Sequence, residues 1–219
     1  MDFTGKQDII KNVQQSLKLQ ADGHDGPATW QAIEKLLVKI PAAPQVKESV
    51  IPNTTTSKSG NFVQKLLTLA RAEVGVEEIN GTNCSARVNQ YKAATTLDST
   101  QSWPWCAAFV CWLFKEAMSG TTYSFKRPTT AGAFDFENWA ANQDKSIQTK
   151  KPHHGDIVAG DIVIFTFSHI GLAISSPNSN GMVTTIEGNT DAAGSREGGG
   201  VYIKSRSVSK IRSRIRVCV

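Results

Sequence analysis

At Gly160 the chain changes from helical to strand spacing. Before it, Phe62, Leu66, Leu69 and Ala70 form one apolar helical face that ends near Gly75. Val88–Ala94 reads as a short helix carrying Tyr91, and Ala133–Ala141 as another, with Phe134, Phe136 and Trp139. After it come five strand-like runs: Ile162–Phe167, Ile170–Ser175, Met182–Glu187, Val201–Lys204 and Arg212–Val217. Helices first and strands after is an α+β order, and it predicts helices packed on an antiparallel sheet.

The stretch Trp103-Pro104-Trp105-Cys106-Ala107-Ala108-Phe109-Val110-Cys111-Trp112-Leu113-Phe114 belongs to the helical part. Pro104 pushes the residue before it out of the α region, so a helix begins after it. From Trp105 to Ser119 there is neither Gly nor Pro, and Phe109, Leu113 and Phe114 give the helix an apolar face. Cys106 therefore stands in the first helical turn. There the free N–H groups and the positive end of the helix dipole favour a thiolate, and the same N–H groups suit an oxyanion. Cys111, in mid-helix between Val110 and Trp112, gains nothing from the helix end and reads as a small buried hydrophobe.

A nucleophilic thiol needs a base, and Ser168-His169-Ile170-Gly171 offers one at the start of a strand. His169 is expected to take the Cys106 proton and deliver one to the leaving amine. A third group must hold the imidazole in its orientation. Glu187 and Asn189, two apart in a strand, point to the same side if the strand continues. Trp103 and Trp105 flank the nucleophile and either line a substrate groove or pack beneath the helix. His153 and His154 compete as bases but lie in a Lys-Pro-His-His-Gly loop that reads as exposed.

Pro104-Trp105-Cys106-Ala107-Ala108-Phe109-Val110, then Gly160-Asp161-Ile162-Val163-Ile164-Phe165, then Ser168-His169-Ile170-Gly171, then Ile186-Glu187-Gly188-Asn189 together resemble a CHAP domain. Members of that family are cysteine, histidine-dependent amidohydrolases and peptidases with a papain-like core. The resemblance covers about residues 61–219, and its four motifs stand in the family's order. It implies that a glutamate and an asparagine both stand in this pattern. Because a carboxylate would also stabilise the imidazolium, Glu187 is assigned as the group that orients His169 and Asn189 as a supporting polar group.

Residues 1–40 are a smaller unit. Ile9, Ile10, Val13 and Leu17 recur at helical spacing. A tight loop Asp22-Gly23-His24-Asp25-Gly26-Pro27 follows, and then a second helix with Ala32, Ile33, Leu36, Leu37 and Ile40. Helix, Asp-Gly-x-x-Gly loop and helix resemble a peptidoglycan-binding domain, although a family member usually has a third helix. Trp30 either faces ligand or fills the core of this hairpin. Residues 41–60, rich in Pro, Thr and Ser, read as a linker. The expected division is a small helical domain at 1–40, a linker at 41–60 and the catalytic domain at 61–219.

Composition excludes several classes. The chain of 219 residues has no apolar run long enough to span a bilayer, and Met1–Asp8 has no signal-type core. The expectation from this is synthesis in the cytosol; the resemblance to phage endolysins implies the host bacterial cytoplasm, with action on the cell wall after release. Cys84, Cys106, Cys111 and Cys218 show no pairing pattern, and no zinc-ligand spacing joins them to His153 or His154. The loop Glu77–Cys84 lacks the aspartate-rich pattern through which some CHAP domains bind calcium, so no metal or other cofactor is expected. The net charge of +5 gathers toward the C-terminus, where Arg212, Arg214 and Arg216 alternate with Ser213, Ile215 and Val217. That stripe is either the solvated face of an edge strand or an attractor of a polyanion such as an anionic cell envelope. No aromatic-and-basic pattern for nucleic acid accompanies it.

These features lead to a monomeric peptidoglycan hydrolase resembling phage endolysins. It would cut either the N-acetylmuramoyl-L-alanine amide or a stem-peptide or crossbridge bond, through a cysteine thioester. The alternatives are a phage structural or wall-binding protein that keeps the core as scaffold, and a cytosolic thiol amidohydrolase.

Overall fold

In the computed structural model, residues 58–151 and 156–218 are described, together with Lys11, Gln14 and Gln15. The chain divides into two units, Met1–Thr54 and Thr55–Val219. The expected domain at 1–40, Trp30 within it, and the linker up to Ser57 lie outside the described residues, apart from the three named. So do His153 and His154.

Within the second unit four helices precede six strands: α1 (Lys58–Ala72), α2 (Ala86–Lys92), α3 (Cys106–Ala117), α4 (Asp135–Ala141), β1 (Ile147–Lys150), β2 (Ile162–Phe165), β3 (His169–Ala173), β4 (Met182–Thr190), β5 (Gly200–Ser207) and β6 (Ile211–Val217). All pairings are antiparallel, in the order β1-β6-β2-β3-β4-β5. The expected α+β class is what the chain adopts. No helix among the described residues is long and apolar enough to cross a membrane.

The central element is α3. Every residue from Cys106 to Phe114 is buried, so the apolar face read from the sequence is in fact the whole circumference. An all-round apolar helix must be enclosed. Phe114 meets Phe62 of α1 with ring centroids 5.4 Å apart, and Tyr91 of α2 meets Phe109 and Trp112 at 5.3 and 5.2 Å. The sheet closes the remaining side. Ile162, Ile164, Ile170, Leu172, Ile186, Val201 and Ile215 join the helices in one core. Strand alternation sends Val163, Phe165, Ala173 and Val183 into a second, smaller cluster with Ile157, and the register shift at Ile164/Phe165 brings Ile211 to the same cluster although it is in phase with Ile215.

Three sequence expectations change. β1 was not foreseen, because only Ile147 of its four residues is buried and a strand so exposed shows no apolar period. Lys58–Gly60, read as the end of the linker, are helical. β6 is no edge strand: it lies between β1 and β2, with Ile215 opposite Thr149 on one side and Ile162 on the other. Its arginines are matched by acids of the same unit. Arg212 Nε donates to Glu137 at 2.9 Å, Arg214 Nη2 to Asp156 at 3.1 Å, and Arg216 Nε to Asp161 at 2.7 Å. The stripe that read as a cationic face is thus paired along its length with acids of its own unit, at the surface for Arg212 and buried for Arg214.

Candidate active site

Cys106 is the first residue of α3, preceded by Trp105 at the N-cap with φ −115° and ψ 15°. No side chain caps this helix. The first-turn N–H groups are therefore not taken up by a capping oxygen, as an oxyanion site requires. The Cys106 residue is 7% exposed.

The approach to Cys106 is held by hydrogen bonds that leave little freedom. Trp105 N–H donates to Asn189 Oδ1 at 2.6 Å, and Asn189 Nδ2 donates to Gly198 O at 3.3 Å. Trp105 Nε1 donates to Glu78 Oε2 at 2.9 Å. Lys92, fully buried, donates from Nζ to Gln101 O at 2.7 Å and lies 3.3 Å from Cys84 Sγ. The acidic loop Glu77–Cys84 thus serves as a brace: Glu78 takes Trp105, and Glu77 Oε1 accepts from Tyr202 Oη at 3.0 Å.

His169 opens β3, after Ser168, whose φ of +58° makes the sharp turn from β2. Its ring is completely buried and stacks on Phe165 and Phe167, each with centroids 6.0 Å away. One face of the imidazole therefore rests on the smaller cluster, while Cys106 belongs to the larger. The two reactive side chains come together where these clusters join, close enough for Cys106 to act on the imidazole. His169 Nε2 lies 3.0 Å from Glu187 Oε2. That contact is an ionic one, since the ring N–H does not point squarely at the oxygen.

Glu187 reaches His169 across Gly171. A Cβ on Gly171 would stand 2.6 Å from Glu187 Cγ, so only a glycine leaves room for the carboxylate there. The carboxylate is fully buried and accepts from Thr185 Oγ1 at 2.5 Å and from Arg206 Nε at 2.9 Å. Burial alone would raise its pKa. The Arg206 and His169 contacts outweigh burial and hold it at about 2. For His169 burial favours the neutral ring, but the contacts with Cys106 and Glu187 outweigh burial and raise its pKa to about 9. The site is built to hold an imidazolium between a thiol and a carboxylate.

Among the residues singled out from the sequence, Cys106, His169 and Glu187 converge. The Asn189 amide makes its hydrogen bonds elsewhere than to the imidazole; with φ +58° at a break in the β4–β5 register, it turns toward Trp105 and Gly198. Trp105 is completely buried against Tyr91, with ring centroids 5.6 Å apart, so it packs beneath the helix and lines no groove. Trp103 is half-buried, its Nε1 donating to Asp98 O at 2.8 Å. Cys111 donates to Thr130 O at 3.2 Å, and burial pushes its pKa up to about 12, as suits an inert thiol. A cleft of about 480 Å³ lined by Glu73, Arg87, Trp112 and Lys115 opens elsewhere, and none of the site residues lines it.

Arg206 was missed, because in sequence it belongs to the C-terminal basic run. The only signal for it is its place in β5, in phase with Tyr202, which pairs with Glu187. Reading that signal requires knowing the register.

Residues 98–189 match the family model of the CHAP domain. Among solved structures, the crystal structure of a wild-type endolysin, LysIME-EF1, aligns with a TM-score of 0.43 at 17% identity, over 71% of this chain and 64% of that one. The chain thus spans less than two thirds of that endolysin's length. No curated protein matches it. The family match takes in Cys106, His169, Glu187 and Asn189, and over residues 98–189 this chain carries a CHAP domain.

Proposed function

We propose that this protein is a peptidoglycan hydrolase that cuts an amide bond of the bacterial cell wall by thiol catalysis. The observation that carries the reading is the line Cys106–His169–Glu187 at an uncapped helix N-terminus. The match to the CHAP domain and the likeness of the N-terminal segment to a peptidoglycan-binding domain point to the wall as substrate.

The chemistry follows from the geometry. The Cys106 thiolate attacks the amide carbonyl, and the Cys106 backbone N–H holds the oxyanion. The imidazolium of His169 gives its proton to the leaving amine, and a thioester remains on Cys106. The neutral imidazole then takes a proton from water, which attacks the thioester and frees the thiolate. Glu187 stabilises the imidazolium before and after. Because His169 is raised to about 9 and Glu187 is lowered, the His169–Glu187 ion pair is present throughout the neutral range.

The bond is either the N-acetylmuramoyl-L-alanine amide or one within the stem peptide or crossbridge, and product analysis separates the two. Purified peptidoglycan is digested with wild type and with Cys106→Ala, and the fragments are weighed by mass spectrometry. Stem peptides with a free L-alanine N-terminus identify an amidase. Shortened stems or separated crosslinks identify an endopeptidase. Cys106→Ala is expected to release neither. Release by Cys106→Ala, or none by wild type, removes the thiol mechanism and favours a wall-binding protein with a scaffold-only core.

A further inference from the structure

We propose that Arg206 is a positioning residue for the Cys106–His169 pair, acting through Glu187. The proposal rests on the thiol-hydrolase reading above. Arg206 lies on β5 at the edge of the sheet, opposite Val183, and its side chain runs along the strand pair past Thr185 to reach Glu187. Nε donates to both carboxylate oxygens, at 2.9 and 3.2 Å, and Nη2 donates to Oε2 at 2.5 Å. Nη1 donates to Gly194 O at 3.0 Å. The guanidinium lies over Phe165 and Phe167, 5.4 Å from each centroid. Those two rings are the ones on which His169 stacks. One aromatic pair therefore supports both the cation that grips Glu187 and the imidazole that Glu187 serves.

The arrangement assigns each oxygen of Glu187. Oε1 receives Thr185 and Arg206 Nε, and Oε2 receives Arg206 Nη2 and faces His169. A planar fork fixes the plane of a carboxylate as a single point charge does not. The charged and titratable groups that face Glu187 are His169 from β3 and Arg206 from β5. Tyr202 and Lys204 share that face of β5 but are turned to Glu77 and to the carbonyls of Asp191 and Ala192, and Cys106 of α3 acts on the imidazole. β2 and the turn after it offer only the two phenylalanine rings. Without Arg206 a fully buried carboxylate keeps one neutral hydroxyl and an imidazole. Burial then favours its protonated form, and His169 loses its counter-charge.

The test follows alkylation of Cys106 by iodoacetamide across pH, reading the Cys106 peptide by mass spectrometry in wild type, Arg206→Ala and Arg206→Lys. Circular dichroism verifies that each variant folds. In Arg206→Ala the acid limb of the rate is expected to move up by about one pH unit or more, with a lower plateau. In Arg206→Lys, which keeps the charge and loses the fork, the limb stays near that of wild type while the plateau falls about tenfold. A folded Arg206→Ala with the wild-type limb and plateau overturns the proposal. If Arg206→Ala does not fold, a wild-type profile in Arg206→Lys overturns it instead. Alkylation needs no cell wall, so the two readings fail separately. A wild type that digests no peptidoglycan while the Arg206 variants shift as expected rejects the substrate and leaves Arg206 its role. Digestion by wild type with unchanged alkylation in the variants rejects Arg206 alone.

Discussion

Glu187 and His169 carry opposite pKa shifts, and together they define where this pair stabilises the fold. Burial disfavours the charge on Glu187, but Arg206 and His169 hold it at about 2, against an ordinary value of 4.5. A lowered folded-state pKa contributes stability that is complete above about 4.5 and disappears as pH falls toward 2. Burial likewise disfavours the charge on His169, but Cys106 and Glu187 raise it to about 9, against 6.5. A raised folded-state pKa contributes stability that is complete below 6.5 and is lost as pH rises through 9. The pair is at full strength between about 4.5 and 6.5. The Tm of wild type should therefore decline from pH 6.5 to 9, and that decline should flatten in His169→Gln. Thermal unfolding at several pH values measures both, and equal slopes in the two proteins would remove the pair as the cause.

At the scale of elements, the seat of α3 on β4 decides whether Cys106 and His169 meet. Gly188 makes that seat possible. A Cβ there would lie 2.8 Å from both Phe109 Cβ and Trp105 Cζ3, two groups that packing holds on every side. Gly188→Ala is expected to lift the start of α3 from the strand at a cost of about 1–3 kcal/mol, the usual range for overpacking. The readouts are a lower Tm and a slower alkylation of Cys106. A variant as stable and as reactive as wild type would mean that the seat is softer than its contacts imply. One residue on, Asn189 ties the backbone of Trp105 to the same strand. The two neighbours thus set the height and the direction of the nucleophile.

On the scale of the molecule, the described core is drawn from residues 62–217, all within the unit Thr55–Val219. A fragment of residues 55–219 should therefore unfold cooperatively, with a Tm within a few degrees of the full chain. It should keep its activity on soluble muropeptides. If residues 1–40 hold the wall, as their likeness to a peptidoglycan-binding domain implies, the fragment should lose several-fold of its rate on insoluble sacculi. Parallel rates on the two substrates measure this, and equal loss or no loss on both would set wall binding by residues 1–40 aside.

Local chemistry was enough to read much of this protein from its sequence. Pro104 starts a helix, the apolar run after it buries that helix, and the change of period at Gly160 separates helices from strands. Each of these is a property of neighbours in the chain, as is the place of Cys106 in the first turn. The resemblance to the CHAP domain then paired Cys106 with His169 and Glu187. What only the tertiary structure decided depends on register and depth. Whether Trp105 lines a groove or fills the core depends on the ring of Tyr91. That Asn189 serves Trp105 and not His169 depends on a positive φ at a shift in strand pairing. The β6 stripe reads as a free cationic face until Glu137, Asp156 and Asp161 arrive from distant parts of the chain. Arg206 becomes a partner of Glu187 only when β5 pairs with β4, because nothing local distinguishes it from the other basic residues around it.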